Sequence, residues 1–598
     1  MTLHDPINFE LFKNAIFAVA DEMALTIFRT SYSGVLKSNM DYSTAVATAN
    51  GRLVAQGLTI PGHLGSVPTA LAAVLARFGG AIAPGDVYLM NDPYAGGMHL
   101  PDIFMFQPVF ADGVHIAFVA TVCHHTDVGG RVAGSNAADS TEIFQEGLRI
   151  PPTRLYAAGV PNETLFDLIG TNVRMPSKVR GDLRAQQAAC HIGERAILEL
   201  VARHGPSDVV AYMDESIAHA ERLTRAAIRE LPEGSFSFED WIDDDGVDFG
   251  KSIRLHVTFE RRGDTLYADW SGSAPQVKGA INGTLGWTKA ATYCAVKCIL
   301  PPDIPNNEGV FRAIEVTAPP GTITNMAMPA ACAARGLSGF RMVDCAFGAL
   351  ARMLPERIPA AAEGGNTGIS IGGYDAGRNP FIYVEFVAGA WGGRPWADGA
   401  DGHSSIFANM ASYSAEVTEA EYPVECLTYE LMPDREGAGK YRGGTPFRRD
   451  YRFLEAEGVL QVRSDRRDFR PYGLQGGQPG APSNNILNPG GEARALASKV
   501  TINIRRGDVL RHELAGPGGW GDPLERDPAA VLRDIRNEIV SRARAEACYG
   551  VVVAATGWAV DEPATATRRA RLRIERDWPD TPFVSRTPNH PNADWRQT

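Results

Sequence analysis

Three short apolar runs between residues 86 and 122, joined by polar turns, constrain this chain more than any other feature: Asp86 to Met90, Ile103 to Phe110 and Ile116 to Val122. Each has the length and composition of a β-strand. Ala111-Asp112-Gly113 is a tight reversal, so the second and third runs pair antiparallel, and the end of the third lies beside the start of the second. The first run ends at Asn91 and Asp92 on the same edge, where Gly96 and Gly97 let the connecting loop fold closely over it. The segments NDPYAGGMHLPD and HHTDVGG therefore meet on one rim of an antiparallel sheet.

Two imidazoles and a carboxylate on such a rim are the usual protein ligands of a borderline divalent ion. We assign His99, Asp102 and His124 to a metal. Zinc and manganese suit this donor set, whereas magnesium rarely takes imidazole. The competing reading is that polar residues at strand ends cap the sheet. Adjacent strand residues face opposite sides, so only one of His124 and His125 binds the metal directly, and the sequence does not decide which.

The rest of the chain reads as α+β, multidomain, with mixed antiparallel sheets and a long helical hairpin. At 598 residues it exceeds a single ordinary core. Phe12, Ile16, Val19, Met23 and Ile27 recur at helical intervals near the start. Two long helical patterns, from about Ser177 to His204 and Pro206 to Leu231, are separated by Gly205-Pro206, a stop followed by a start. SFSFEDWI, SIRLHVTFERRG and TLYADWSGS alternate at period two, a second antiparallel sheet. Helices are expected near Thr288 to Leu300 and Gly339 to Met353, and one short helical pattern from Pro528 to Ala547. The tail from Ile574, with its four prolines, reads as extended or wrapped on a neighbouring subunit. The expected divisions are 1–231 (metal-site region with the hairpin), 232–278 (strand insert), 279–527 (mixed α+β) and 528–598 (short helix and tail).

A net charge of −12 argues against nucleic acid or an anionic membrane as partner. The N-terminus has no basic region followed by an apolar core, and no run of 18 apolar residues occurs, so a cytoplasmic protein is expected. Eight scattered cysteines give no disulfide framework. Cys294 and Cys298 sit at helical spacing in an apolar segment and read as buried core. GAGKYRGG, from Gly437, has Tyr441 where a phosphate loop needs Ser or Thr, and reads as a glycine-rich turn.

The strings SNMDYSTAVATANGRLVAQG, IPGHLGSVP, NDPYAGGMHLPD, CHHTDVGG, DSTEIFQEGLRIPP, GDLRAQQAAC, MPAACAARG, YRGG (Tyr441–Gly444) and AGPGGWGDP (Ala515–Pro523) resemble the hydantoinase B family. That family includes the B half of oxoprolinases and is related to components of acetone and acetophenone carboxylases. The resemblance runs from about Phe9 to Asp527. It implies a division of labour in which a separate hydantoinase A-like subunit uses ATP and Mg2+ to phosphorylate a carbonyl oxygen of a small-molecule lactam, hydantoin or ketone. The hydantoinase B-like subunit then carries a metal-containing site, zinc or manganese, for the second half of the reaction, within a hetero-oligomer. An ATP-dependent cyclic-amide hydrolase is the implied activity, with a ketone carboxylase subunit and a non-catalytic scaffold for the ATP-using partner as rivals.

Asp41, in the family block SNMDYS, is the implied general base, its alternative being a turn or cap before the next strand. Asp127 is the reserve, as base or as a group orienting a histidine ligand. His63 and His125 are assigned to the substrate pocket; for His63, capping of the helix near Ser66 is the alternative. Glu142 and Glu146, near Arg149, read as a solvated ion-pair face. Arg184 reads as a tie between helix and sheet. Asn366 and Trp391-Gly392-Gly393 look like sites of close backbone approach.

Overall fold

Phe12, Ile16, Val19, Met23 and Ile27 are all buried along α1 (Pro6–Thr30), whose first turn is capped by the Asp5 carboxylate accepting from the N–H groups of Ile7 and Asn8. The computed structural model describes residues 5–575 and 584–585. After α1 come α2 (Gly34–Lys37), β1 (Tyr42–Thr48), β2 (Leu53–Gln56), α3 (Pro61–Leu64), α4 (Val67–Phe78), β3 (Val87–Met90), β4 (Asp102–Ala111), β5 (Val114–His124), β6 (Thr153–Ala157) and β7 (Val160–Pro161). The strands form one antiparallel sheet in the order β2-β1-β5-β4-β3-β6-β7. Asp112 and Gly113 both have positive φ, 49° and 77°, and close the β4–β5 hairpin in two residues.

Alternate residues of these strands enter different cores. Tyr42, Ile103, Met105 and Cys123 face α1, α5 (Glu163–Asn172) and the hairpin of α6 (Pro176–His204) and α7 (Pro206–Arg229). Ala45, Phe104, Phe106 and Val122 face the other way. That second core is filled by β8 (Gly234–Ile242), β9 (Ile253–Arg262) and β10 (Thr265–Asp269), then α8 (Leu285–Lys297), α9 (Glu308–Arg312), β11 (Ile314–Thr317) and α10 (Gly336–Met353). β8, β9 and β10 pair antiparallel as their alternation predicts, and β11 adds to β10 in parallel.

Beyond α10 lie β12 (Thr367–Tyr374), β13 (Pro380–Val387), α11 (Ala415–Glu421), β14 (Val424–Leu431), β15 (Phe447–Phe453) and β16 (Glu457–Arg463). One sheet has the order β13-β12-β16 followed by Lys499–Arg505; the other joins β14 and β15 to Val509–Glu513, Asn484–Leu487 and Arg494–Ala495. Ile369, Tyr383, Leu460 and Val462 pack against Tyr451, Phe453 and Leu510 between them, a β-sandwich.

Phe104 shares its core with Phe238, Trp287, Phe347 and Tyr472, from both sides of the divisions expected at 231 and 278. Other expectations need correcting. Residues 528–547 hold two helices, Pro528–Arg536 and Arg542–Tyr549, because Glu538 takes a positive φ and Ser541 caps the second. A further helix, Glu562–Glu575, follows. The tail reading falls mostly outside the described residues; Val584 and Ser585 pair with Leu474 and Gly473. Cys294 is half-buried and Cys298 exposed, since α8 packs through Thr288, Ala291 and Ala295 and turns this flank outward. The GAGKYRGG loop spends its amides on backbone: Gly437, Lys440 and Tyr441 donate to carbonyls of Pro517, Gly521 and Trp520.

Candidate active site

Strand register places three polar residues side by side. Asp102 is the direct partner of His124 across β4 and β5. The β1–β5 pairing extends one residue before β1, where His124 N–H donates to the Asp41 carbonyl at 3.0 Å. Asp41, His124 and Asp102 thus form a row across three neighbouring strand ends, on the face opposite Tyr42, Cys123 and Ile103. Met40, at φ 60°, makes the turn that brings Asp41 into line.

His99 enters from the loop after β3. Gly96, at φ 102°, has room for no side chain, since a Cβ would sit 2.5 Å from the Thr69 carbonyl. The ring is oriented by its Nδ1–H, which donates to the Ala333 carbonyl at 2.8 Å. His63 comes from α3, with Nδ1 3.1 Å from Ser43 Oγ and Nε2 3.4 Å from Asp41 Oδ1 and 3.8 Å from Asp102 Oδ2. Its reading as a cap is not met, since Ser66 begins α4 without a side-chain cap.

A carbonyl only accepts, so the proton on His99 is on Nδ1 and its Nε2 presents a lone pair. That lone pair faces Asp102 Oδ1 at 3.0 Å, and neither atom has a hydrogen-bond partner. His124 Nδ1 is likewise buried without a partner, while its Nε2 lies 3.1 Å from the Asn136 amide. One donor atom each from His99, Asp102 and His124 lie within 4.8 Å of one another, and a second such group, Asp41, His63 and Asp102, shares the middle carboxylate. The His99 lone pair and Asp102 Oδ1, 3.0 Å apart in the dry, repel unless a cation stands between them, so these residues fit a divalent metal.

The electrostatics agree with that fit. Burial holds His99 below the usual imidazole range, with Arg335 adding to the effect. Burial and neighbouring His99 push His124 well down, and burial brings His63 down to about 4. All three are then neutral at pH 7, the form that binds metal. Burial would raise Asp102, but His99, Arg335 and His63 hold it well below the carboxylate range. Asp41 is raised well above that range by burial and by the charge of Asp102.

Two residues outside the sequence assignment complete this wall. Arg335, next to last in the MPAACAARG block, pairs through Nη2 with Asp102 Oδ2 and stacks 4.1 Å over the Trp287 ring. Glu146 accepts from the N–H groups of Cys332 and Ala333 at 2.7 and 2.8 Å, fixing the loop whose Ala333 carbonyl orients His99. It is not a solvated ion-pair partner: it is buried, follows the 3-10 turn Ile143–Gln145 and leaves Arg149 to Asp92. Glu142 alone is exposed.

Other assignments fall away from the cavity. His125 points to the opposite face, its Nε2 3.0 Å from Gln186 Oε1 on α6. Asp127 is buried against Arg174, which donates from its backbone N–H and from Nη1. Neither lines the cavity. Arg184 is exposed on α6, outside the cavity, and its charge acts on Tyr156 of β6. Asn366 does line the cavity and braces Ser404 and Ser405, while a Cβ on Gly392 would collide with the Ala360 carbonyl.

The cavity over this row is walled by Ile60, Trp287, Phe340, Phe407 and Met410. A second row of cross-strand neighbours also lines it, Phe386, Gly368 and Arg463, from β13, β12 and β16 of the sandwich. The hydantoinase B/oxoprolinase family model matches residues 5–523. The chain belongs to the hydantoinase B/oxoprolinase family.

Relatives of this hydantoinase B/oxoprolinase chain include the beta component of the caprolactamase of Pseudomonas jessenii, 34% identical over 95% of this chain and 100% of that one. The B component of a putative D-/L-hydantoinase of Pseudomonas sp. (strain NS671) is 31% identical over 92% and 95%. The crystal structure of the ATP-dependent caprolactamase from P. jessenii superposes with TM-score 0.87 at 32% identity, covering 95% of this chain and all of that one. The nucleotide-free structure of acetone carboxylase gives TM-score 0.88 at 21% identity, covering 96% and 83%, and shows the fold alone.

Proposed function

We propose that this chain is the metal-holding subunit of an ATP-dependent cyclic-amide hydrolase, acting on a hydantoin, 5-oxoproline or another lactam whose carbonyl oxygen is phosphorylated in a partner ATP-binding subunit. The observation that carries the reading is the His99 Nε2 lone pair facing Asp102 Oδ1 at 3.0 Å, both buried without a partner, inside a cavity that His124 also lines. The names of the relatives support the substrate class and the dependence on another subunit. An amide is a poor electrophile, and phosphorylating its oxygen ends resonance donation and supplies a leaving group.

His99, Asp102 and His124 would hold zinc or manganese, and a divalent ion there would lower the pKa of a water towards about 7. A cation held by these residues would favour ionisation of Asp41, whose carboxylate would then accept the water's proton, with His63 Nε2 3.4 Å from its Oδ1 to hold it in position. Arg335 fixes one oxygen of Asp102 and leaves the other to the ligand set. Trp287, Phe340 and Phe407 exclude bulk water from the reacting carbonyl.

Elemental analysis of the purified wild type beside a His99→Ala, Asp102→Ala variant tests the reading. Near-stoichiometric zinc or manganese, lost in the variant together with lactam-dependent turnover in the presence of the partner subunit, is the expected result. No metal in either protein, or full turnover by the variant complex, would leave the chain a scaffold.

A further inference from the structure

Buried arginines in this protein are paired. Arg335, Arg341, Arg442, Arg449, Arg466 and Arg526 each meet a carboxylate within salt-bridge distance. Arg463 is as buried as these, 3% exposed, and none of the ion pairs among the described residues includes it. Its Nη2 donates to Ser370 Oγ at 3.0 Å, and its Nη1 has no partner. The Phe386 ring lies 5.9 Å from the guanidinium and the same ring lies 5.4 Å from that of His124.

The surroundings are shaped to admit this side chain. Arg463 ends β16 directly across from Gly368 of β12, and a Cβ there would lie 2.6 Å from both Nε and Nη2. The missing side chain at 368 lets the guanidinium lie across the strand and line the cavity. Burial alone acts on the guanidinium, bringing its pKa down to about 9. A planar fork of donors held in an apolar wall without a countercharge is complementary to an oxyanion. Filling space over Phe386 and Gly368 would not need a charge, since an unbranched apolar side chain does the same without desolvation.

We propose that Arg463 binds an oxyanion of the cavity's occupant, a phosphoryl or carboxylate group, on the wall where Phe386 stands between it and His124. The assignment rests on the cavity being the substrate site. It divides the cavity between a wall of metal-ligating residues, where a carbonyl carbon would react, and a cationic wall that sets the occupant's direction.

Calorimetric titration of the full chain with inorganic phosphate, and separately with acetate, tests this in the wild type and in Arg463→Met, with thermal melting of both proteins. At least one anion should bind the wild type and bind Arg463→Met at least tenfold more weakly, while the variant melts at the same temperature or higher without anion. Binding of phosphate alone identifies a phosphorylated occupant, and binding of acetate alone a substrate carboxylate. Equal affinity in the two proteins, no binding to the wild type, or a lowered melting temperature with binding unchanged would each overturn the proposal. Should Arg463→Met fail to fold, Arg463→Gln reads the same site, and undiminished binding there overturns it equally. Arg463-dependent binding by a chain found to carry no metal would leave the anion site standing and sink the hydrolase reading. A metal-loaded chain with Arg463-independent binding would do the reverse.

Discussion

Glu146 keeps a proton that an exposed glutamate would lose, because burial outweighs the two N–H groups it accepts and moves it from 4.5 up to about 8. The unfolded chain loses that proton first. This carboxyl's contribution to stability is therefore complete below about pH 4.5 and falls as pH rises to about 8. Glu146→Gln keeps an acceptor without the titration, so its melting temperature should decline less than the wild type's between those limits; parallel profiles would contradict the assignment. Glu146→Ala leaves two buried N–H groups unpaired and should cost about 2–4 kcal/mol. At Asp41 the expected loss is in chemistry: Asp41→Asn should reduce turnover of the complex by roughly 10²–10⁴-fold while metal content, read by elemental analysis, stays unchanged. The spacing of His99, Asp102 and His124 was legible because strand pairing is local there. Glu146 was not, since its partners at 332 and 333 lie far along the chain and its own segment imitates a helix face.

The short helix α3 delivers His63 and has no slack to do it differently. A Cβ on Gly65 would lie 2.6 Å from the backbone of Ala290 in α8. Gly65→Ala should push the two helices apart, costing about 1–3 kcal/mol and displacing His63 from Asp41. Denaturant unfolding and the pH profile of turnover would register the two effects separately. Alternation gave the hairpin β4–β5 and the β8–β10 meander, because residues adjacent in sequence determine both. Alternation also separated His124 from His125 without saying which served the cavity; that follows from α6, where Gln186 claims His125. The sandwich was visible only as a strand-rich stretch, so the row Phe386, Gly368 and Arg463 could not be read from spacing. Its pairings join residues from three separate strands.

The larger bodies are held to one another by buried charge. Arg341 on α10 reaches Asp465 at 2.5 Å, and Lys499 reaches the same carboxylate at 3.2 Å. Arg466 spans Asp240 on β8 and Asp344 on α10. Asp465→Ala would remove the nearer partner of two buried cations, leaving Arg341 with Asp240 at 3.7 Å and Lys499 with Asp244 at 4.0 Å, and should cost about 3–5 kcal/mol. Loss of cooperativity is expected with it, seen as two denaturant transitions where the wild type has one. The central sheet, with α1 and α6 on one face and the core it shares with β8–β10 on the other, has a different consequence. All seven residues of β1, all four of β2 and all four of β3 are buried, and β4 and β5 nearly so. Random single substitutions would survive on the outer sides of α1 and α7 and almost nowhere in these five strands. The pattern of tolerated change across a mutant library would then outline the sheet as a blank, with the Asp41–His124–Asp102 row concealed inside a region that fails for reasons of folding alone.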